Sequence, residues 1–319
     1  METSAKELHR PVMLERTLEL LRPAIAGKSA TVVDCTLGLG GHSEALLANF
    51  PDLTVIGIDR DDSAIALASE RLREYGARFV PVAAIYDELD DVLRELELTS
   101  VEGILLDLGV SSMQLDLAER GFSYAQDAPL DMRMNQASGK TAADLLATLD
   151  HGELARIFRD YGEERYASNV AREIVATRDA KPILTSSDLN AILERTIPQA
   201  PGKASGHPGK RVYQALRIAV NDELRVLERT MPQAIDALAV GGRIVVMSYH
   251  SLEDGIVKRF LQEAATSSTP VEMPIELPGT SPRLNILTRG VERATELELD
   301  QNPRAASARL RAAEKLEVR

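Results

Sequence analysis

Residues 30 to 42 read Ala-Thr-Val-Val-Asp-Cys-Thr-Leu-Gly-Leu-Gly-Gly-His, and the next apolar run, Leu53-Thr-Val-Ile-Gly-Ile-Asp59, also ends in a carboxylate. An uninterrupted apolar run is the mark of a strand covered on both faces, as in a parallel sheet. The glycines that follow the first run form a turn into a helix. The acid at the tip of the second is placed to receive both ribose hydroxyls of a nucleoside. The stretch therefore points to an adenosine-containing cofactor.

Further along, Phe79-Val-Pro-Val and Gly103-Ile-Leu-Leu-Asp107 continue the series, with a helical pattern over residues 64–75 between strands. This alternation specifies an α/β fold, a parallel sheet with helices on both faces. Ligands in such sheets bind beyond the carboxyl ends of the strands, so Asp34, Asp59 and Asp107 are expected to converge on one crevice. A dinucleotide fingerprint counted from Gly38 would need a third glycine where Ser43 stands, and a Walker loop would need lysine where His42 follows Gly41. What remains, Asp34 followed by Gly38, Gly40 and Gly41, lets backbone approach a small cofactor without a pyrophosphate to cradle. A plain strand-to-helix turn is the alternative for the glycines, and a helix cap is the alternative for Asp59.

After Asp107 the rhythm breaks, because the next strand pattern is Gly242-Arg-Ile-Val-Val-Met247. A connection that long requires an inserted unit. Its pieces are helical: Leu154, Ile157, Phe158 and Tyr161 follow a cap-like Asp150 and Glu153, and Leu189, Ile192 and Leu193 follow Ser186 and Ser187. The glycine- and proline-rich loop 201–209 closes the insertion. The reading divides the chain into a core over residues 1–112, an inserted helical subdomain over 113–212 expected to receive substrate, and a second part of the core over 213–319. That last part is expected to hold a helix carrying Leu216, Val220, Leu224 and Leu227, a strand at residues 243–247, a helix at 251–265 and a short strand near 284–288. The basic segment after Pro303 reads as a poorly ordered tail.

Composition narrows the function. The 319 residues, 44% of them apolar, can bury a substantial core. One cysteine, Cys35, excludes an intrachain disulfide framework. No apolar run is long enough to cross a bilayer, and Met1-Glu-Thr-Ser-Ala-Lys-Glu lacks the layout of a secretory signal, so the expected location is the cytoplasm, with no membrane partner. The formal charge of −12 argues against a protein that coats nucleic acid nonspecifically. Local basic patches remain, one with Lys203, Lys210, Arg211 and Arg217, another with Arg304, Arg309, Arg311 and Lys315.

Two further segments place polar groups at the same sheet edge. Asp107-Leu-Gly-Val-Ser-Ser112 follows the fourth strand, and Ser248-Tyr-His-Ser-Leu-Glu-Asp254 follows the fifth. Tyr249 is read as a stacking surface and His250 as a polar contact, with Ser251 as a helix cap in the plainer account. His250 and Glu253 lack the further ligand spacing of a metal site, so no metal is assigned.

Beyond these features the chain closely resembles the MraW family. The resemblance is carried by His9-Arg-Pro-Val-Met13, Cys35-Thr-Leu-Gly-Leu-Gly-Gly-His42, Leu105-Leu-Asp-Leu-Gly-Val-Ser-Ser112, Gln114-Leu-Asp116 and Arg120-Gly-Phe-Ser-Tyr124. Pro129-Leu-Asp-Met-Arg-Met134, Tyr161-Gly-Glu-Glu-Arg165, residues 211–224, Ser248-Tyr-His-Ser-Leu-Glu-Asp254 and Asn302-Pro-Arg304 extend it over nearly the whole chain. The resemblance implies a Rossmann-like, class I methyltransferase sheet. It implies S-adenosylmethionine as cofactor and N4 of a cytosine in the decoding (P-site) region of bacterial 16S ribosomal RNA as substrate. Cofactor contacts are implied for Gly40, Gly41, His42, Asp59, Tyr86, Asp107 and Gln114. Met113 and Asn135 depart from the family's usual proline and aspartate.

On this reading Asp107, or backbone carbonyls near Leu108 to Ser111, accept hydrogen from the amine, Ser111 or Ser112 together with His250 orients the base, and Tyr249 stacks on it. Expected partners are 16S rRNA, packaged in the small ribosomal subunit, with a homodimer left open. The alternatives are a methyltransferase acting on another nucleic acid or on a small molecule, and a noncatalytic nucleoside- or RNA-binding scaffold. An Asp-Pro-Pro-aromatic run, expected of a DNA enzyme, is absent at Asp107.

Overall fold

The computed structural model describes residues 11–198, 208–270, 273, 277 and 279–317, apart from the side chains of Ser112 and Asp116. His9, Lys203, nearly all of loop 201–209 and part of the Pro-rich stretch 271–282 lie outside the described residues. The chain divides into two compact units, one formed by residues 1–109 and 224–319, the other by Val110–Glu223.

In the first unit, α1 (Leu14–Ile25) precedes β1 (Ala30–Asp34), and α2 (Gly41–Asn49) leads to β2 (Leu53–Asp59). Then come α3 (Asp62–Arg71), β3 (Phe79–Ala83), α4 (Leu89–Glu95) and β4 (Val101–Asp107). Successive residues of each strand face opposite sides of the sheet. Val32, Val55 and Leu105 pack on one face with Leu21, Leu46 and Leu72, while Val33, Ile56, Ile104 and Leu106 pack on the other with Leu89 and Val92. Each such side chain contributes about 1.5–3 kcal/mol by leaving water. Covered on both faces, the strands need no polar residue until their ends, which is where the aspartates stand.

The second unit is helical. It contains α5 (Ser112–Asp116), α6 (Ala142–Thr148), α7 (His151–Asp160), α8 (Ala167–Arg178), α9 (Ser186–Thr196) and α10 (Lys210–Asn221). Leu146, Leu154, Phe158, Val170, Ile174, Leu189 and Leu193 form its core, joined by Val212, Tyr213 and Leu216. Tyr213 and Leu216 lie beyond the expected boundary at 212: the apolar face of α10 packs here, so this unit runs to Glu223. Reciprocal side-chain and backbone bonds start α6 (Thr141 with Asp144), α7 (Asp150 with Glu153) and α9 (Thr185 with Asp188). The cap of α9 is thus Thr185, one residue before the serines read from the sequence. Ser186 is buried, and its hydroxyl donates to the Gln126 carbonyl at 2.7 Å.

The chain returns through α11 (Glu223–Ala237), β5 (Leu238–Ser248), α12 (Ser251–Ala264), β6 (Leu284–Ile286), α13 (Glu296–Gln301) and β7 (Arg309–Lys315). Sheet order is β3-β2-β1-β4-β5-β7-β6. The first five strands are parallel, whereas β7 pairs antiparallel with both β5 and β6. Strand order reverses between β1 and β4, which opens a crevice at their carboxyl ends.

The supposed C-terminal tail is therefore a strand inside the sheet. Leu310, Ala312 and Ala313 are buried, and the charges between them are matched by distant partners. Arg311 grips Asp254 at 2.6 and 3.1 Å, and Arg243 grips Glu314 at 2.8 and 2.6 Å.

Candidate active site

The carboxyl ends of β1, β2, β4 and β5 hold the polar groups of the first unit. Gly40 caps α2 at φ 74, in the left-handed region that favours glycine, and a Cβ there would press on Leu72 at 3.1 Å. A Cβ on Gly41 would lie 2.6 Å from the Pro11 ring. Only bare backbone fits this turn; the Gly40 amide donates to the Leu37 carbonyl at 2.8 Å, and the amides of Gly41 and His42 open α2, where a helix leaves its first N–H groups without an intrahelical partner.

Asp59 ends β2. Its Oδ2 accepts the Gly38 amide at 2.8 Å and its Oδ1 the Asp61 amide at 2.9 Å. The cap of α3 is Asp61, which accepts the Ser63 amide. The helix-cap alternative for Asp59 thus passes to its neighbour. Each Asp59 oxygen spends one acceptor position on the turn and keeps capacity for a hydroxyl donor. Burial raises its pKa, against the two amide bonds.

Asp34 ends β1, accepting the Ser43 hydroxyl at 2.7 Å and the Thr36 amide at 3.3 Å. Burial raises its pKa too. These bonds lock the glycine turn from beneath. Cys35 is buried beside it, and burial with the Asp34 charge pushes its thiol far above the ordinary range. It does not exist as a thiolate at neutral pH.

Asp107, at the end of β4, is the most perturbed of these acids for which a value can be stated. Burial drives its carboxyl up to about 7, although the Tyr249 hydroxyl, donating to Oδ1 at 2.7 Å, pulls the other way. Oδ2 faces Nδ1 of His42 at 3.7 Å, beyond hydrogen-bond reach. His42 is itself buried, which lowers its pKa, and Nε2 lies 3.0 Å from the Val12 carbonyl. A carbonyl only accepts, so Nε2 carries the hydrogen and Nδ1 presents a lone pair. No cation neutralises Asp107 from that side. The charge is held instead by one phenol, whose own acidity burial and Asp107 suppress.

The placement of Tyr249 changes the sequence reading, which gave it a stacking role alone. Its hydroxyl is tied to Asp107, and Gly109, at φ 97, lies so close to its ring that a Cβ would stand 3.4 Å from Cδ2. Glu253, buried, accepts the amides of Tyr249 at 2.7 Å and His250 at 3.2 Å. His250, not Ser251, caps α12, its Nδ1 accepting the Glu253 amide at 3.4 Å. Thr36 was also missed: its Oγ1 accepts the Asp107 amide at 2.6 Å and joins the ends of β1 and β4. The His-x-x-Glu spacing of a reciprocal cap was the available signal for Glu253. Nothing local marks the Thr36 contact.

Tyr86 opens a short helical turn after β3 and packs on the core face that holds Leu89. Ser111, Ser112 and Gln114 belong to the second unit. There Ser111 caps α5, its hydroxyl accepting the Gln114 amide at 3.2 Å while Gln114 Oε1 accepts the Ser111 amide at 3.1 Å. Lys210 and Arg211 are exposed at the start of α10, with Arg211 donating to the Glu163 carbonyl. Among the described residues no cluster of three or more histidines, cysteines or acids is arranged to hold a metal, and no helix is long and apolar enough to cross a membrane.

Comparison with known proteins places these features in context. A family model described as the MraW methylase family matches residues 6–316. A protein of Beutenbergia cavernae named ribosomal RNA small subunit methyltransferase H is 56% identical over 315 residues, covering 99% of this chain and 95% of its own. Proteins of the same name from Saccharopolyspora erythraea and Pseudarthrobacter chlorophenolicus are 56% and 54% identical, each covering 98% of this chain, and 95% and 96% of their own.

Proposed function

Because the chain belongs to the MraW methylase family, we infer that it transfers a methyl group from S-adenosylmethionine to the N4 amine of a cytosine in the decoding, P-site region of 16S rRNA. The chain is a methyltransferase of small-subunit ribosomal RNA. One observation carries the choice of atom and of chemistry: a buried carboxylate, Asp107, with a pKa near neutrality and one oxygen held by Tyr249.

The residues fit the cofactor. Asp59 has acceptor capacity for ribose hydroxyls, Gly40 lets the backbone come close, and the helix N-terminal amides of Gly41 and His42 suit a carboxylate. Three acids at the strand ends suit a positively charged sulfur. Tyr86 would cover the adenine, and Asp34 and Gly38 hold the turn. When bound, S-adenosylmethionine supplies a methyl carbon already activated by its sulfonium.

The protein then has to orient the amine, exclude water and receive a proton. Cytosine N4 is a weak nucleophile because its lone pair is delocalised into the ring. Asp107 Oδ2, left free while Tyr249 holds Oδ1, accepts one amine hydrogen as nitrogen gains the methyl, and the second hydrogen stays on N4. His250 orients the base, and the Tyr249 ring borders it. Methylation at C5 would call for a thiolate adduct, and the sole cysteine is buried with its thiol held protonated. The helical unit with Lys210 and Arg211 is the proposed RNA platform, and the packaged small subunit the proposed substrate form.

The test is transfer of labelled methyl to small-subunit particles and to free 16S rRNA from cells lacking this gene, followed by digestion to nucleosides. Label in N4-methylcytidine is expected. Label at C5, or none in either substrate, would overturn the reading.

A further inference from the structure

Away from the strand ends, α12 and the β6–β7 pair enclose a cavity of about 290 Å³. Lys258, Leu261 and Gln262 line it from α12, Ile286, Thr288, Arg289 and Gly290 from β6 and the turn after it, and Arg311 from β7. Asp254, Lys258 and Gln262 recur every four residues, so they share one face of α12. Asp254 is bound on both oxygens by Arg311. Lys258 and Arg289 are exposed, and among the described residues no carboxylate pairs with either. Thr288 is buried, its hydroxyl accepting the Ala312 amide at 3.3 Å and donating to no other described residue.

Three cations thus surround one small space with a single carboxylate to offset them, in a chain whose net charge is −12. A solvated surface spreads like charges apart, whereas crowding them at a concavity costs energy until an anion enters. Guanidinium and ammonium donors beside a buried hydroxyl match the oxygens of a phosphate. A polyanion is repelled by the acidic surface as a whole and is drawn where the local sign reverses. The cavity also lies on the helix that starts beside Tyr249, with Lys258 about 10 Å along its axis from Ser251.

We propose that this cavity is a second binding site that takes a backbone phosphate of the substrate RNA and anchors the strand whose cytosine is methylated. The inference rests on the rRNA methyltransferase reading above. It adds a phosphate anchor formed by Lys258, Arg289, Arg311 and Thr288. Arg311 serves as donor and as brace, since Asp254 fixes its plane.

The experiment compares wild type with a Lys258→Gln, Arg289→Gln double variant, measuring binding of a 16S rRNA fragment over a series of salt concentrations. Loss of two phosphate contacts flattens the slope of log affinity against log salt by about 1.4 for single-stranded RNA. A roughly tenfold weaker affinity at low salt is expected, with S-adenosylmethionine binding by calorimetry unchanged as the check on folding. The charge-preserving Lys258→Arg, Arg289→Lys variant should recover most of the slope. An unchanged slope and affinity overturns the anchor, as does a wild type that fails to bind the fragment. ATP and inorganic phosphate serve as separate probes: if the double variant loses either of these while its RNA slope stays intact, the cavity belongs to a free anion and the proposal fails. Methyl transfer by the wild type is followed in parallel. No transfer, with the slope difference present, defeats the methyltransferase reading and leaves the RNA-phosphate site standing.

Discussion

Asp59 and Asp107 at the sheet edge and Asp144 and Asp188 in the helical unit all accept hydrogen bonds, yet their acidity moves in opposite directions. Burial raises the first two. Backbone and hydroxyl bonds from Thr141 lower Asp144, while the Lys181 ammonium and the Leu184 and Thr185 amides lower Asp188. The helix caps are open to water, so their charge costs little and the hydrogen bonds decide. At the strand ends desolvation outweighs the same kinds of bond. The cap carboxylates stabilise the fold by being charged, and the strand-end carboxylates are kept at some expense to it. That expense is what the proposed role of these acids asks of the fold.

Asp59→Ala sharpens the contrast most. If Asp59 holds the ribose as proposed, the change removes two charge-assisted bonds, each worth about 1.5–3 kcal/mol, and S-adenosylmethionine affinity should fall by about 10²–10⁴. Calorimetry measures this directly, with Asp59→Asn, which keeps one of the two acceptor oxygens the turn uses, as the milder variant. Unchanged affinity would show that Asp59 only braces Gly38 and Asp61.

Tyr249→Phe has a smaller expected effect. It keeps the ring and removes the donor that holds Oδ1 of Asp107, so the Asp107 pKa should rise further, by about one pH unit. Turnover at pH 7 should drop about fivefold and recover in alkaline buffer, with cofactor binding spared. Tyr249→Ala should be slower at every pH because the ring beside the base is lost too. Equal profiles for wild type and Tyr249→Phe would separate the phenol from catalysis.

The smallest effect belongs to the helical unit. A cap whose pKa is lowered in the fold stabilises above the unfolded value, and that contribution fades as pH falls through the folded value. Asp188→Ala should therefore cost about 1 kcal/mol in urea unfolding at pH 7, a cost that shrinks as pH falls below the unfolded value of about 3.9. Asp107→Asn should behave inversely. A raised acid favours the fold below its unfolded value of about 3.9 and loses that contribution as pH rises through about 7. Asp107→Asn should thus gain stability on wild type at pH 8 and show no gain at pH 3. Matching pH dependence for both variants would break the comparison.

The same contrast explains what could be read from the residues alone. Strands β1 to β4 were legible because burial on both faces forces contiguous apolar runs, and their terminal aspartates stood out against them. β7 was not, because Arg309, Arg311, Glu314 and Lys315 hide Leu310 and Ala312, and the partners that make those charges tolerable, Asp254 and Arg243, lie far away in the chain. The end of the helical unit was missed because an amphipathic helix announces that it has an apolar face, not which core receives it. Within the site, the residue types at positions 34, 59 and 107 could be read. The Tyr249 bond to Asp107 and the Thr36 link could not, since both join segments separated by many residues whose meeting depends on sheet order.

The pH dependence of a single methyl-transfer turnover on small-subunit particles tests the role of Asp107 most directly. The account predicts a wild-type rate that climbs through an inflection near pH 7 to an alkaline plateau, and an Asp107→Asn rate lower by about 10²–10⁴ without that inflection. A wild-type rate that is flat from pH 6 to 8, or an inflection that survives in Asp107→Asn, would contradict it.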